Sequence, residues 1–327
     1  MTIPAAIIGL GRIASLLEAD SLREKPATHA GALHENEACR IVGGCDLRED
    51  RRIAFAKRWN VPFTTASPLR LIQEVRPELL VIATHPDSHE SILRVAVAQG
   101  VPVVICEKPL AHSLRSARRM ARLVSANPAT RVLVNHERRY SRDYQLVREA
   151  VMQRRFGDLL SVNGTLFFGR NARHDVVFQH DGTHLVDAIH YLTGAALRVS
   201  RRSASMKSPV RSVFLSGILS PNAVPVSLEI GSGRTYLEFE LELSFENGRI
   251  RVGNGLFTWE TSKKSPYYED YRSLVDLHRS RPFPSNYFIE MVNDAVRCVR
   301  DPSRLPVSSI EDAVSVMRVI RSFRART

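Results

Sequence analysis

Residues 3–14, IPAAIIGLGRIA, join a short apolar run to a glycine-rich turn. Gly9, Gly11 and Ala14 have the GxGxxA spacing found between the first strand and the first helix of dinucleotide-binding folds. The first glycine permits a tight turn, the second lets the backbone approach a pyrophosphate, and Ala14 permits close packing of a helix on the strand. A helix that begins here also presents free N–H groups to an anion. The stretch therefore predicts a pyrophosphate site.

Apolar runs alternate with amphipathic stretches from this turn to about residue 140. The runs are RIVGGCD (40–46), LLVIATH (79–85), VPVVICEKP (101–109) and RVLVNHERRY (131–140). Such alternation is typical of βαβ units, in which helices cover both faces of a parallel sheet. We predict an α/β fold whose N-terminal part, residues 1–140, is a doubly wound Rossmann domain.

The pattern changes beyond residue 140. YLEFELELSF (236–245) alternates apolar with polar residues, as expected of an antiparallel strand with one packed face and one open face. Glu246-Asn247-Gly248 is typical of a hairpin turn. We predict a C-terminal α+β domain, residues 141–327, on a large and mainly antiparallel open sheet. Within it, we expect residues 201–211 to form a surface loop.

Composition limits the classes of function. The 327 residues carry a net charge of +12, but the basic residues are spread along the chain and are not interleaved with aromatic residues, so we predict no nucleic-acid partner. We expect no membrane span and no signal peptide, because no apolar run is long enough and the N-terminus lacks a basic region. The four cysteines form no CxxC pair, which favours a reducing cytoplasm and indicates no metal site.

Asp46 ends the second apolar run, where a carboxylate accepts hydrogen bonds from the adenosine ribose and repels a 2′-phosphate. This favours NAD as the cofactor. Arg48 could instead bind a 2′-phosphate, so NADP stays an alternative. The spacing from the glycine turn to Asp46 exceeds the usual ~20 residues, and we expect an extended connection around residues 24–37.

Glu107, Lys108 and Pro109 follow a run that is typical of a buried strand. Ligands of doubly wound sheets lie beyond the carboxyl ends of the strands. An ammonium there can hydrogen-bond a substrate hydroxyl and stabilise a developing alkoxide. Glu107 could balance that charge or contact the cofactor, and Pro109 ends the strand. A surface ion pair at a strand end explains these residues equally well.

The motifs GxGxxA, ATHPDSH (83–89), CEKP (106–109) and DGTHLVD (181–187), in this order, resemble the glucose-fructose oxidoreductase / inositol dehydrogenase / MocA family. The resemblance implies a Rossmann domain followed by an α/β domain with an open sheet. It also implies NAD(P)-dependent hydride transfer on sugars, polyols or related carbohydrates. A homo-oligomer, either a dimer or a tetramer, would form through the open sheet face.

The resemblance also assigns roles to single residues. Lys108 matches the family's catalytic lysine, and His85 stands where the family often has proline. The positions that it implies for cofactor binding are Gly9, Gly11, Arg12, Ile13, Asp46, Thr84, His85, Pro86, His89, Glu107, Lys108 and Asn135.

HDGTHLVDAIHYLTG (180–194) predicts a helix that begins near Thr183 and ends at Gly194. His184 matches the family histidine that exchanges a proton with the substrate hydroxyl. The family usually has an aspartate four residues earlier, where this chain has His180, followed by Asp181. Asp181 either orients His184 or caps the helix, and His180 could share or replace the proton transfer.

We therefore predict an NAD(P)-dependent dehydrogenase that acts on a secondary alcohol of a sugar, polyol or sugar derivative. One alternative is transient oxidation that cleaves or epimerises a glycoside with no net redox change. Another is a catalytically silent, nucleotide-sensing regulatory paralog, for which the exchange at residues 180 and 181 is the hint. Arg170 and Arg173 suggest a carboxylated or phosphorylated sugar.

Overall fold

A computed structural model describes residues 2–169, 177–205, 211–279 and 283–322. Arg170 and Arg173 lie outside these residues. The chain divides into two compact units, Met1–Tyr140 with Asn286–Met317 and Ser141–Ser285 with Arg318–Thr327. Each unit contains one sheet. None of the described helices is both long enough and apolar enough to cross a bilayer.

The helices and strands are numbered here in chain order. The α-helices are α1 (His29–Glu35), α2 (Glu49–Trp59), α3 (Pro68–Val75), α4 (Pro86–Ala98), α5 (Leu114–Ser125), α6 (Arg142–Met152), α7 (Gly182–Thr193), α8 (Tyr287–Arg300) and α9 (Ile310–Ser322). The strands of the first unit are β1 (Ile3–Ile8), β2 (Cys39–Cys45), β3 (Phe63–Thr65), β4 (Leu79–Ile82), β5 (Val103–Cys106) and β6 (Arg131–Val134). Those of the second are β7 (Leu159–Phe168), β8 (Ala196–Ser205), β9 (Arg211–Ser220), β10 (Val224–Ser232), β11 (Leu237–Phe245), β12 (Gly248–Gly253), β13 (Leu256–Lys264) and β14 (Arg272–Arg279).

The first unit has the parallel sheet predicted from the apolar runs. Its strand order is β3-β2-β1-β4-β5-β6, which is the order of dinucleotide-binding folds. Successive side chains of a strand point to opposite faces, so Ile7 and Val81 enter one core while Ile8 and Ile82 enter the other. Helices cover both cores, which explains why the strands are continuous apolar runs.

The first helix does not follow the glycine turn directly. One helical turn forms at Gly11, and the chain then leaves it as a short 3-10 helix, Leu16–Ala19. Helix α1 resumes against the interrupted turn, since the His29 N–H donates to the Ile13 carbonyl at 3.2 Å and the Ala30 N–H donates to the Ala14 carbonyl at 2.9 Å. Residues 15–28 are therefore an insertion within the first helix. The long connection expected at residues 24–37 lies earlier in the chain, since residues 29–35 are helical.

Capping explains where α1 begins. The Thr28 hydroxyl accepts from the Gly31 N–H at 3.1 Å, as an N-cap residue does. The Glu18 carboxylate in turn accepts from the Thr28 hydroxyl at 2.5 Å and from the Ala27 N–H at 3.1 Å. The insertion thus supplies the acceptors that restart the helix at His29.

The two C-terminal helices differ from the predicted domain organisation. Phe288, Met291 and Val292 of α8 are buried in the same core as Ile7 and Val81 of the parallel sheet. Residues 286–317 therefore belong to the first unit, whereas the sequence placed all of 141–327 in a second domain. The amphipathic pattern of a helix shows that one face is buried, but not which sheet it covers.

The second unit has the predicted mixed sheet, in the order β14-β13-β12-β11-β7-β10-β9-β8. β7 and β10 pair in parallel, and the other pairs are antiparallel. Phe239, Leu241 and Leu243 of β11 are buried, which confirms the alternation, and β12 begins at Gly248 as the turn signal predicts. Residues 201–205 continue β8, so the loop expected at 201–211 is wrong there, and residues 206–210 lie outside the described ones.

Asp294 of α8 holds the C-terminal segment in the first unit. It is fully buried, and its Oδ2 accepts from the Tyr140 hydroxyl at 3.1 Å and from the Val307 N–H at 2.8 Å. Burial, together with the charge of Asp294, raises the pKa of the Tyr140 hydroxyl well above its usual value. The hydroxyl therefore stays a donor at all moderate pH values.

We expect Asp294→Ala to lower the free energy of unfolding by about 3 kcal/mol, because two buried donors would lose their acceptor. Asp301→Ala, which changes an exposed carboxylate just after the same helix, is the matched control and should have little effect. Urea denaturation of both variants measures the difference. Equal stability of the two variants would contradict the role given to Asp294.

Candidate cofactor site

Most predicted cofactor residues lie at one edge of the parallel sheet. Gly9, Asp46, Glu107 and Asn135 directly follow β1, β2, β5 and β6, and Thr84 follows β4 by two residues. Because parallel strands end at the same edge, the fold brings these residues together where dinucleotides bind in doubly wound sheets.

The glycine turn fits a pyrophosphate. Gly9 has a φ of +89°, and a Cβ there would lie 2.6 Å from the Ala83 carbonyl oxygen, so only glycine is tolerated. At Gly11 a Cβ would approach only the Arg51 guanidinium, at 3.7 Å, which leaves space for an anion. Within the described part of the chain, the N–H groups of Gly11, Arg12 and Ile13 have no protein acceptor. Such free N–H groups at a helical turn bind phosphate oxygens.

Asp46 links the glycine turn to α2. Its Oδ2 accepts from the Leu10 N–H at 2.8 Å, and its Oδ1 accepts from the Arg48 N–H at 2.9 Å. A carboxylate oxygen has two lone pairs, and Oδ2 also accepts from the Arg51 Nη1 at 3.5 Å, so Oδ1 is the oxygen that can accept a further hydrogen bond, as a ribose hydroxyl requires.

The arginines that follow Asp46 have separate tasks. Arg48 forms a two-pronged pair with Asp50, with Nε–Oδ1 and Nη2–Oδ2 distances of 3.1 and 2.6 Å. Arg51 lies nearer the site, with its Nη1 3.5 Å from the Asp46 Oδ2. Sequence reasoning considered Arg48 and missed Arg51, although residues 48–52 (REDRR) are visibly charged.

Glu107 is a buried anchor rather than half of a surface ion pair. Its Oε1 accepts from the Asn135 Nδ2 at 2.6 Å and lies 2.7 Å from the His29 Nε2, and its Oε2 accepts from the Lys108 backbone N–H at 3.2 Å. Burial alone would raise the pKa of Glu107, but His29, Asn135 and the Lys108 charge together lower it. The carboxylate is thus held in its ionised form, and the surface ion-pair interpretation is wrong.

His29 was not predicted from the sequence to be part of this network. The sequence gives only a weak signal for His29, because a histidine after Thr28 resembles any helix start. The Asn135 Oδ1 is buried and has no hydrogen-bond partner among the described residues. A buried acceptor without a donor fits an amide group of a bound dinucleotide.

The segment after β4 is only partly as predicted. Helix α4 begins at Pro86, with His85 as its N-cap. His89 is fully buried, with its Nδ1 3.1 Å from the Leu110 carbonyl oxygen and its Nε2 3.0 Å from the Thr84 carbonyl oxygen. Burial lowers the pKa of His89. Both ring nitrogens face backbone carbonyl oxygens, and a neutral imidazole donates to one of the two.

The predicted proton-transfer residues lie in the second unit. Val177–Asp181 forms a π-helical turn, and α7 starts at Gly182, so His184 is in the first turn of α7 as predicted. The Asp181 side chain makes no capping hydrogen bond and lies 2.9 Å from the His180 Nδ1. The capping alternative for Asp181 is therefore wrong, and Asp181 pairs with His180.

Several known proteins are similar to this chain. Inositol 2-dehydrogenase from Leifsonia xyli subsp. xyli is 28% identical over 202 residues, which are 58% of this chain and 58% of that protein. The chain thus spans less than two thirds of that relative.

Two solved structures resemble the whole chain. That of myo-inositol 2-dehydrogenase from Lactobacillus plantarum has a TM-score of 0.77 at 20% identity and covers 99% of this chain and 96% of its own. That of an oxidoreductase from Agrobacterium radiobacter in complex with NAD+, L-tartaric acid and magnesium has a TM-score of 0.77 at 17% identity, with 98% and 95% coverage. At such identity these likenesses show the fold.

Residues 3–136 match the family model described as an oxidoreductase family with an NAD-binding Rossmann fold, and the matched stretch contains the glycine turn, Asp46, the EKP motif and Asn135. This N-terminal stretch of the chain is similar to the glucose-fructose oxidoreductase / inositol dehydrogenase / MocA family.

Proposed function

We propose that the protein is an NAD(P)-dependent dehydrogenase acting on a secondary alcohol of a sugar, polyol or sugar derivative. The observation that carries the proposal is the buried Glu107 carboxylate, which fixes the Lys108 backbone at the sheet edge that bears the glycine turn. The family supports the reaction type, and the inositol 2-dehydrogenase relatives support the substrate class.

Each residue has a separate task in the proposed reaction. When bound, the nicotinamide ring accepts or donates the hydride. The Lys108 ammonium hydrogen-bonds the substrate oxygen and stabilises the negative charge that develops there as its proton leaves. His184 removes that proton, and His180, which is paired with Asp181, shares the proton transfer. Glu107, Asn135 and the glycine turn orient the reactants.

NAD is the favoured cofactor. Asp46 puts a negative charge where a 2′-phosphate would lie, and Arg48, which could neutralise that phosphate, is already paired with Asp50.

The four cysteines are buried free thiols, which supports a reducing compartment such as the cytoplasm.

A second copy of the chain is the proposed partner, in a dimer or tetramer. Strand pairing puts Phe214, Glu229, Thr165 and Glu240 on one face of the mixed sheet, opposite the buried side chains of β11. Phe214 and Ile218 on that face are 42% and 41% exposed. Exposed apolar side chains on β9, on the same sheet face as the charged residues of β11, are suited to self-association.

Lys108→Met should reduce kcat for polyol oxidation on the order of 100- to 1000-fold, because it removes the donor to the substrate oxygen. NAD affinity should stay nearly unchanged. Absorbance of reduced nicotinamide and calorimetric titration with NAD measure the two effects, with the exposed Lys57→Met of α2 as control. Retained turnover would remove Lys108 from the mechanism, and substrate conversion without net NAD reduction would favour the glycoside-cleaving or epimerising alternative.

Asp46→Asn should raise the ratio of kcat/KM for NADP to that for NAD by about tenfold, the equivalent of one modest charge repulsion. Asparagine removes the charge and keeps one acceptor oxygen, for the Leu10 N–H, while the Arg48 N–H loses its side-chain acceptor. Glu49→Gln, at the exposed start of α2, is the control. An unchanged ratio would show that Asp46 does not discriminate between the cofactors.

The double variant Phe214→Asp/Ile218→Asp should shift the protein towards monomers, because charges would replace apolar contacts at the proposed interface. Light scattering after size-exclusion chromatography measures the mass. Leu22→Asp, at a leucine that is 96% exposed in the first unit, is the control. An unaltered mass of the double variant would exclude this face as the interface.

A further inference from the structure

His29 is held rigidly although it has no place in the predicted site. It is the first residue of α1, is fully buried, and follows the Thr28 cap that Glu18 supports. Its ring packs edge-on against Phe288, with centroids 5.2 Å apart. The imidazole therefore has one orientation, fixed by the helix start and by an aromatic wall.

The single polar contact of this ring is directed at Glu107. The Nε2–Oε1 distance is 2.7 Å, and an ionised carboxylate can only accept, so Nε2 is the donor. The other ring nitrogen, Nδ1, is buried without a hydrogen-bond partner in the described ranges. Within the described residues, the His29 ring therefore hydrogen-bonds to Glu107 and to no other polar group.

The same carboxylate carries the connection to the lysine. The Asn135 Nδ2 and the His29 Nε2 converge on Oε1, while Oε2 accepts the backbone N–H of Lys108. A carboxylate held at both oxygens cannot rotate. Without His29, Glu107 would keep one side-chain donor and could turn, and the Lys108 backbone would lose its fixed acceptor.

We propose that His29 is a positioning residue that acts on Lys108 through Glu107. The proposal rests on the proposed dehydrogenase function, in which Lys108 contacts the substrate oxygen. It assigns no proton transfer and no substrate contact to His29. It also gives residues 15–28 a role, since they cap the helix start that carries the imidazole.

The test uses two variants of His29 and one matched control. His29→Leu removes the donor, whereas His29→Gln keeps an N–H donor of similar reach. His34→Leu changes an exposed histidine of the same helix. Reductive methylation of the free amino groups over a range of pH, read by mass spectrometry, compares Lys108 with Lys57 and Lys264 in each variant.

We expect His29→Leu to alter the labelling profile of Lys108 alone and to lower kcat on the order of 10- to 100-fold with little change in NAD affinity, as a misplaced catalytic group does. His29→Gln should keep the Lys108 labelling profile and kcat close to those of the wild type. In Glu107→Gln/His29→Leu the histidine change should add little to the loss caused by Glu107→Gln alone, because the two residues act in one chain of contacts.

A Lys108 profile that stays like the wild type in folded His29→Leu would overturn the proposal. So would failure of both His29 variants to fold, because the residue would then be needed for stability alone. The labelling needs no turnover. If the wild type oxidises no polyol or sugar, the dehydrogenase function fails while the labelling still decides whether His29 positions Lys108.

Discussion

The first unit depends on one buried negative charge, the carboxylate of Glu107. Moving an unpaired carboxylate out of water costs several kcal/mol or more, so its place at the end of β5 requires donors from elsewhere in the chain. His29 comes from the start of α1, Asn135 from the end of β6, and the Lys108 N–H from the chain itself. A charge that needs three donors fixes the relative positions of three segments.

The capping of α1 explains how the fold accommodates the insertion of residues 15–28. An insertion within a helix normally leaves the second part of the helix without acceptors for its first N–H groups. Here Thr28 caps α1, Glu18 supports the cap, and the Ile13 and Ala14 carbonyls accept the N–H groups of His29 and Ala30. The helix restarts in line with its first turn, so the imidazole still reaches Glu107.

The sequence predicts what is encoded by local patterns. The strands of the parallel sheet are continuous apolar runs, and Asp46 and Glu107 are recognisable because each directly follows such a run. His29 could not be identified in this way, since its partner is 78 residues away and its burial depends on Phe288 near the C-terminus. For the same reason, the sequence does not show that α8 packs against the parallel sheet of the first unit. At His89 the sequence motif suggests a contact with the cofactor. In the structure its two ring nitrogens face the Thr84 and Leu110 carbonyls of the protein itself.

The carboxylates of Asp46 and Glu107 at the sheet edge each accept a hydrogen bond from a nearby backbone N–H. Asp46 takes the Leu10 N–H and Glu107 takes the Lys108 N–H, so neither group is available to a ligand. In the described residues, the donors left at the glycine turn are the N–H groups of Gly11, Arg12 and Ile13. An anion is thereby directed to the turn and away from Asp46, whose charge repels it. The carboxylates therefore leave these three N–H groups of the glycine turn as the donors that can bind phosphate.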